Sequence, residues 1–232
     1  MIFDPPLQRG VFLRRYKRFF ADIRLEGGEE ITAHTPNTGT MRTCLEPETP
    51  AWVSRSDNPK RKLAHTWELG TSAGALVGVN THRANALAAE AIGAGQIPAL
   101  GGYATIRREV RYGENSRIDL LLEDGPQAPC YVEIKNVSMG REGMAAFPDA
   151  VSERARKHMG ELAAQVAAGN RAAVLFVVQR GDCARFTPAD DIDPAYGEAL
   201  RQAAAAGVGV LAWACDVTPE GITLARELPV EL

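Results

Sequence analysis

Short apolar runs fill the first third of the chain, and each is cut off by turn-forming residues before a helical period can develop. Residues 11–13, 19–25, 30–34, 52–54 and 66–69 read as strands in this way. Gly27-Gly28 marks a hairpin between two of them, and Pro36-Asn-Thr-Gly39 marks another tight turn. About five short strands predict a small closed barrel of the OB type, with residues 76–79 either closing it or leading out of it. The pattern changes near residue 81. Thr81 is placed to cap a helix over 82–92 that buries Ala84, Leu87, Ala88 and Ala91 at helical spacing. Strands follow at 103–110, 116–122 and 130–135, then a polar loop to Gly143. A second helix is expected to begin at 147–150, with Pro148 and Asp149 in its first turn and Val151, Ala155, Met159, Leu162 and Val166 as its apolar stripe. The apolar runs 172–178 and 208–214, on either side of a helix at 194–206, read as buried strands. The order αβββαβαβ calls for a partly parallel sheet covered on both faces. The expectation is an α+β chain of two domains. Residues 1–80 form the barrel, read as the nucleic-acid-binding unit, and residues 81–232 form the α/β domain.

The candidate chemistry lies on the two middle strands. Asp119 interrupts the apolar run Ile118 to Leu122. Alternation puts Glu133 and Lys135 on one face with Tyr131, and Cys130, Val132 and Ile134 on the other. A carboxylate in an apolar setting is costly to desolvate, and a second beside it is worse unless a cation lies between them. Asp119 and Glu133 therefore suggest two hard oxygen ligands for a divalent ion, with Lys135 as an attendant ammonium. A Glu-x-Lys pair has a plainer reading as well, a weak ion pair on a solvated strand face.

Composition narrows the partners. The chain has 232 residues, 45% apolar and 24% charged, with net charge −3, which excludes a disordered polyelectrolyte and a uniformly basic nucleic-acid binder. The charge is uneven. Residues 1–83 hold 12 Lys and Arg against 9 Asp and Glu, whereas residues 84–232 hold 14 against 20. Arg14, Arg15, Lys17 and Arg18 form the densest basic run, interleaved with Tyr16, Phe19 and Phe20, and Lys60, Arg61 and Lys62 form a second in an exposed loop. Cations for phosphates and flat rings for bases are what single strands require; a solvated strand face with the rings in the core is the alternative. Cys44, Cys130, Cys183 and Cys215 are far apart, so neither a zinc knuckle nor a disulfide framework is indicated. No signal peptide and no apolar run of spanning length is present, so a soluble cytoplasmic protein without a membrane partner is expected.

The arrangement Asp119, then Glu133-Ile-Lys135, resembles the signature of the PD-(D/E)xK nuclease superfamily. A wider set of motifs resembles the sugar fermentation stimulation protein A family. These are Arg14-Arg-Tyr-Lys-Arg18, His34-Thr-Pro-Asn-Thr-Gly39, Val79-Asn-Thr-His82, Ser116-Arg-Ile-Asp119, Val132-Glu-Ile-Lys-Asn136, Phe147-Pro-Asp-Ala150, Lys157-His158 and Ile192-Asp-Pro194. Departures are mild, with Thr35 where Cys is frequent and Ala155-Arg156 where Gly and Gln are expected. The resemblance implies an OB-fold joined to a PD-(D/E)xK domain, DNA binding, and a regulatory role in sugar (maltose) metabolism.

Three functions compete. The first is a DNA-binding protein, largely indifferent to sequence, because no helix-turn-helix is evident. The second is a divalent-metal-dependent nuclease. In that reading Asp119 and Glu133 hold Mg²⁺ or Mn²⁺, Glu90 supplies a third carboxylate, and Lys135 orients the water or stabilises charge on the phosphorane. Arg117, Arg154 and Lys157 then grip phosphates. The third is an interaction module with a vestigial site.

Overall fold

The structure is a computed structural model that describes residues 1–113 and 116–232. Its N-terminal strands are β1 (Gln8–Tyr16), β2 (Phe20–Leu25), β3 (Glu30–His34), β4 (Thr49–Arg55), β5 (His65–Ser72) and β6 (Ala75–Gly78). Five of them close in the ring β1-β2-β3-β5-β4, antiparallel at every joint except β3 against β5. That ring is the expected OB-type barrel, and closure removes the sheet edges an open meander would leave. The sixth strand pairs with the outer part of β5 and leads out of the barrel. Alternation drives the closure: Ala21 and Ile23 of β2 are buried, while Asp22 and Arg24, which alternate with them, reach solvent. Phe12 stacks on Trp67 at 4.8 Å between ring centroids inside the barrel. Truncating such a ring costs about 3–5 kcal/mol.

The second unit contains α1 (Arg83–Gly93), β7 (Thr105–Tyr112), β8 (Ser116–Glu123), β9 (Cys130–Val137), β10 (Gly140–Arg141), β11 (Met144–Phe147), α2 (Glu153–Ala167), β12 (Arg171–Val178), β13 (Arg185–Pro188), α3 (Pro194–Ala205), β14 (Gly209–Thr218) and β15 (Gly221–Leu228). Its main sheet runs β15-β14-β12-β9-β8-β7, with β9, β12 and β14 parallel and the flanking strands antiparallel. Ala84, Leu87 and Ala88 of α1 pack with Leu120, Val132 and Leu175 on one face. Met159 and Leu162 of α2 and Leu200 of α3 pack with Leu121, Val174 and Phe176 on the other. The sheet is therefore covered on both sides, as a β-α-β-α-β order requires. This is a PD-(D/E)xK-like α/β domain.

Three departures from the sequence-based expectation matter for the site. The loop expected from residue 136 to Gly143 begins as the end of β9 and contains β10; β11 follows it and pairs in parallel with β13 in a small second sheet. The second helix starts later than expected. Phe147 ends β11, and Ser152 is the cap, its Oγ accepting from Ala155 N at 3.2 Å. Asp149 is instead drawn to the barrel, where its Oδ2 accepts from Met41 N at 2.9 Å. Val151 is thus exposed rather than part of a buried stripe. Thr81 likewise does not cap α1; its hydroxyl donates to the Pro36 carbonyl at 2.7 Å.

The two units share a packed junction. Phe3 and Leu69 belong to the same apolar cluster as α1, and Gly78 N donates to the Gln179 carbonyl at 2.8 Å. Beneath them Arg83 clamps the buried Glu68 through both carboxylate oxygens, at 2.8 and 3.0 Å. Among the described residues, no helix is long and apolar enough to cross a membrane.

Candidate active site

The site forms where β8 and β9 part. Their ladder runs from Leu122 opposite Cys130 to Leu120 opposite Val132 and stops there. One step further the Asp119 carboxylate replaces the missing backbone partner, its Oδ2 accepting from Ile134 N at 2.7 Å. Its Oδ1 accepts from Asn85 Nδ2 of α1 at 2.8 Å. Burial, and then the neighbouring Glu133 charge, push the Asp119 carboxyl up to about 6, although the Ile134 amide, Asn85 and Lys135 work the other way.

Glu133 is almost wholly buried, at 3% exposure, which removes the solvated-face reading of Glu-x-Lys. Its Oε1 accepts from Lys135 Nζ at 2.7 Å and is in close contact with His158 Nδ1. Burial alone would raise this carboxyl, but the His158 hydrogen bond and the Lys135 charge outweigh it and hold the group below its ordinary value. Both partners use the same oxygen. Oε2 is buried with no hydrogen-bond partner, a state that costs about 1–3 kcal/mol or more for a charged group.

An orphaned carboxylate oxygen beside a second carboxylate fits a hard divalent cation. Mg²⁺ commonly takes only one or two protein carboxylates and keeps several waters, so Asp119 and Glu133 form a sufficient anionic set. Glu90 is not part of it. Its side chain is 58% exposed and pairs with the Met1 amino group at 3.1 Å. On α1 it lies five residues, about 140° of rotation, from Asn85, and it is Asn85 that faces Asp119. Among the described residues no group of three or more His, Cys, Asp or Glu side chains converges as a metal cage.

The carboxylates open into a cleft of about 490 Å³ between the two units. The barrel contributes Arg18, Asn37 and Gly39 to its walls; the α/β domain contributes Lys135, Asp149 and Arg154. The basic residues singled out in the sequence therefore separate. Arg18 and Arg154 line the cleft, and Arg154 Nε also donates to His158 Nε2 at 3.4 Å. Lys17 is exposed beside Arg18 at the tip of the β1–β2 turn, where both residues have positive φ. Arg14 is paired with Asp22 at 2.8 Å. Arg15 turns inward and donates to the carbonyls of Asn37, Gly39 and Thr40 at 2.7–3.1 Å and to that of Arg18 at 2.9 Å. It is a strut of the cleft wall and not a phosphate contact. Lys60, Arg61 and Lys62 are exposed, with Arg61 fastened to Thr66 Oγ1 at 2.8 Å. Arg117 is exposed outside the cleft, and Lys157, which pairs with Glu161 at 3.4 Å, also lies outside it.

Two site residues were not singled out by sequence. The sequence reads His158 as lying on or beside the faces of the helix away from the apolar stripe, but it is 4% exposed and sits beside the buried Ala155, Met159 and Leu162 on the inner face of α2. Asn85 offered no signal beyond its place near the start of α1.

Known proteins agree with this architecture. The family model described as the SfsA N-terminal OB domain matches residues 13–79, and that described as the sugar fermentation stimulation protein RE domain matches residues 82–221. A sugar fermentation stimulation protein homolog of Maricaulis maris is 55% identical over 233 residues, covering 100% of this chain and 99% of its own. One of Thioalkalivibrio sulfidiphilus is 56% identical over 234 residues, covering 100% and 98%. A solved structure of Pyrococcus furiosus SfsA in complex with Ca²⁺ matches with a TM-score of 0.89 at 28% identity, covering 100% of this chain and 98% of that one. The chain belongs to the sugar fermentation stimulation protein family.

Proposed function

We propose that the cleft binds nucleic acid and, with Mg²⁺ or Mn²⁺, hydrolyses a phosphodiester bond. The reading is carried by one observation: Asp119, Glu133 and Lys135 converge at the foot of a cleft with the Glu133 Oε2 atom buried and unpartnered. The Ca²⁺ complex of the Pyrococcus furiosus relative supports a divalent ion as the missing partner. When bound, such an ion polarises a phosphoryl oxygen and lowers the pKa of a coordinated water. Asp119 and Glu133 would hold it, Asp119 fixed by the Ile134 amide and Asn85, Glu133 by His158. Lys135 supplies an ammonium for the charge that develops on the phosphorane. Arg18 and Arg154, from opposite walls, hold the phosphates on either side of the reacting one.

A second reading is binding without turnover, in which the same cleft serves the regulatory role implied by the family's name. It is favoured by the occupation of Glu133 Oε1 by both Lys135 and His158 and by the convergence of only two carboxylates. A cleavage assay on single-stranded and duplex DNA and RNA, with and without Mg²⁺ or Mn²⁺, separates the two. Metal-dependent cutting that is lost in Lys135→Ala, with nucleic-acid binding retained, is the expected result. Binding with no cutting in any metal contradicts the hydrolytic reading and leaves the binder.

A further inference from the structure

Of the four large apolar side chains exposed among the described residues, Ile2 and Leu232 lie at the chain ends, and the other two are Phe19 and Val151. Both flank the cleft. Val151 lines it, and Phe19 follows Arg18, which also lines it. Phe19 is tied to this place by its backbone, since its carbonyl accepts from Thr35 N at 2.8 Å at the start of the segment that forms the barrel wall. One face of its ring is backed by the His34 imidazole, with centroids 6.5 Å apart and planes 25° apart. The ring is 41% exposed. Burial, then the nearby Arg61 and His82 charges, hold the His34 imidazole below the usual histidine range, so it backs Phe19 as a flat neutral ring. Lys17 and Arg18 directly precede Phe19 in the chain, and the Arg61 charge acts on His34.

The cleft, of about 490 Å³, has the size of a small-ligand site. Glu133 at the floor is nearly inaccessible from outside, so a reacting phosphate must descend between the walls rather than rest across their rims.

We infer that the occupant is a single strand of nucleic acid, which enters over Phe19 with one base stacked on the ring and the adjoining phosphate held by Arg18. This rests on the nucleic-acid reading of the cleft given above and names the form of its substrate. Stacking on a single aromatic platform is tolerant of base identity, so recognition depends on strandedness and not on sequence. Val151 offers the opposite wall an apolar contact for the next base.

Fluorescence anisotropy with labelled oligonucleotides tests this, using a deoxy strand, a ribo strand and the matching duplex, with Ca²⁺ and without. Phe19→Leu keeps the bulk and apolar character of the side chain and removes the π face. It should weaken single-strand binding about tenfold while changing duplex binding less than about twofold. Phe19→Trp should bind single strands as the wild type does, and its added emission should be quenched when they bind. A ribo strand bound like the deoxy strand shows a site blind to the sugar, and a preference for one names the source. Unchanged single-strand affinity in Phe19→Leu, equal loss for strand and duplex, or an unquenched Phe19→Trp with bound strand overturns the inference and leaves the nucleic-acid reading in place. Wild-type protein that binds none of the three overturns both.

Discussion

Two buried glutamates illustrate the difference between scaffold and site. Glu68, at the junction of the units, has every oxygen engaged. Its Oε1 accepts from Ser54 Oγ and Arg83 Nη2 at 2.7 and 2.8 Å, and its Oε2 from Asn80 Nδ2 and Arg83 Nε at 2.8 and 3.0 Å. Glu133 is as deeply buried, yet Lys135 and His158 share one oxygen and the other has no partner. A low dielectric makes both arrangements consequential: it strengthens complete networks and penalises incomplete ones. Glu68 can therefore hold the barrel to α1 without further help, whereas Glu133 keeps one buried oxygen without a partner. The same contrast recurs among the arginines. Arg15 spends its donors on four carbonyls of the chain, and Arg18, three residues on, points into the cleft.

Breaking the complete network should have the largest effect. Glu68→Ala leaves Arg83, Asn80 and Ser54 without their acceptor and should cost about 3–5 kcal/mol in denaturant unfolding, as removal of one partner of a buried pair does. Asp119→Asn should act in the opposite direction. The Asp119 carboxyl is raised to about 6 in the folded protein, so the folded state binds the proton more tightly than the unfolded chain. The stability this provides is present below about pH 4 and is lost as pH rises through about 6. Metal-free Asp119→Asn should then be more stable than wild type at pH 8, by about 3 kcal/mol, and the difference should vanish at pH 4. Glu133 has the reverse sign. Its lowered value contributes stability above the ordinary glutamate range that is lost as pH falls. Arg15→Ala should cost about 1–3 kcal/mol, because it leaves carbonyls in the cleft wall unpaired. Arg18→Ala should leave unfolding unchanged and lower the salt slope of nucleic-acid binding by about one unit. Equal effects of Arg15→Ala and Arg18→Ala on both measurements would remove the distinction between strut and contact.

The sequence carried the barrel and the main sheet because their periods differ. Ala21 and Ile23 alternate with polar neighbours, whereas the run Ala172 to Val178 has no polar break, and the structure makes the first half-covered and the second covered on both faces. Asp119 and Glu133 were legible because each breaks an apolar strand. Glu90 was misplaced because spacing along a helix gives relative phase but not which flank faces a given strand end; packing of Ala84, Leu87 and Ala88 on the sheet decides that. The start of α2 was misread because Pro148 and Asp149 suit a first turn, and nothing local shows that the barrel amide of Met41 takes the Asp149 carboxylate. Strands as short as β10 leave no period to read. Arg15 is the same kind of case, since a charge run does not show which of its members will find carbonyls across the fold.

The central claim is that Asp119 and Glu133 form one incomplete anionic site that a divalent cation completes. Thermal unfolding of wild type and Glu133→Gln across a titration of Mg²⁺ or Mn²⁺ tests it most directly, because the readout is binding and needs no substrate. The account predicts that wild-type stability climbs with metal concentration, by about 2.7 kcal/mol at a hundred times the dissociation constant, and that Glu133→Gln stays flat. A wild type that does not respond, or a Glu133→Gln that rises in parallel with it, would contradict the claim.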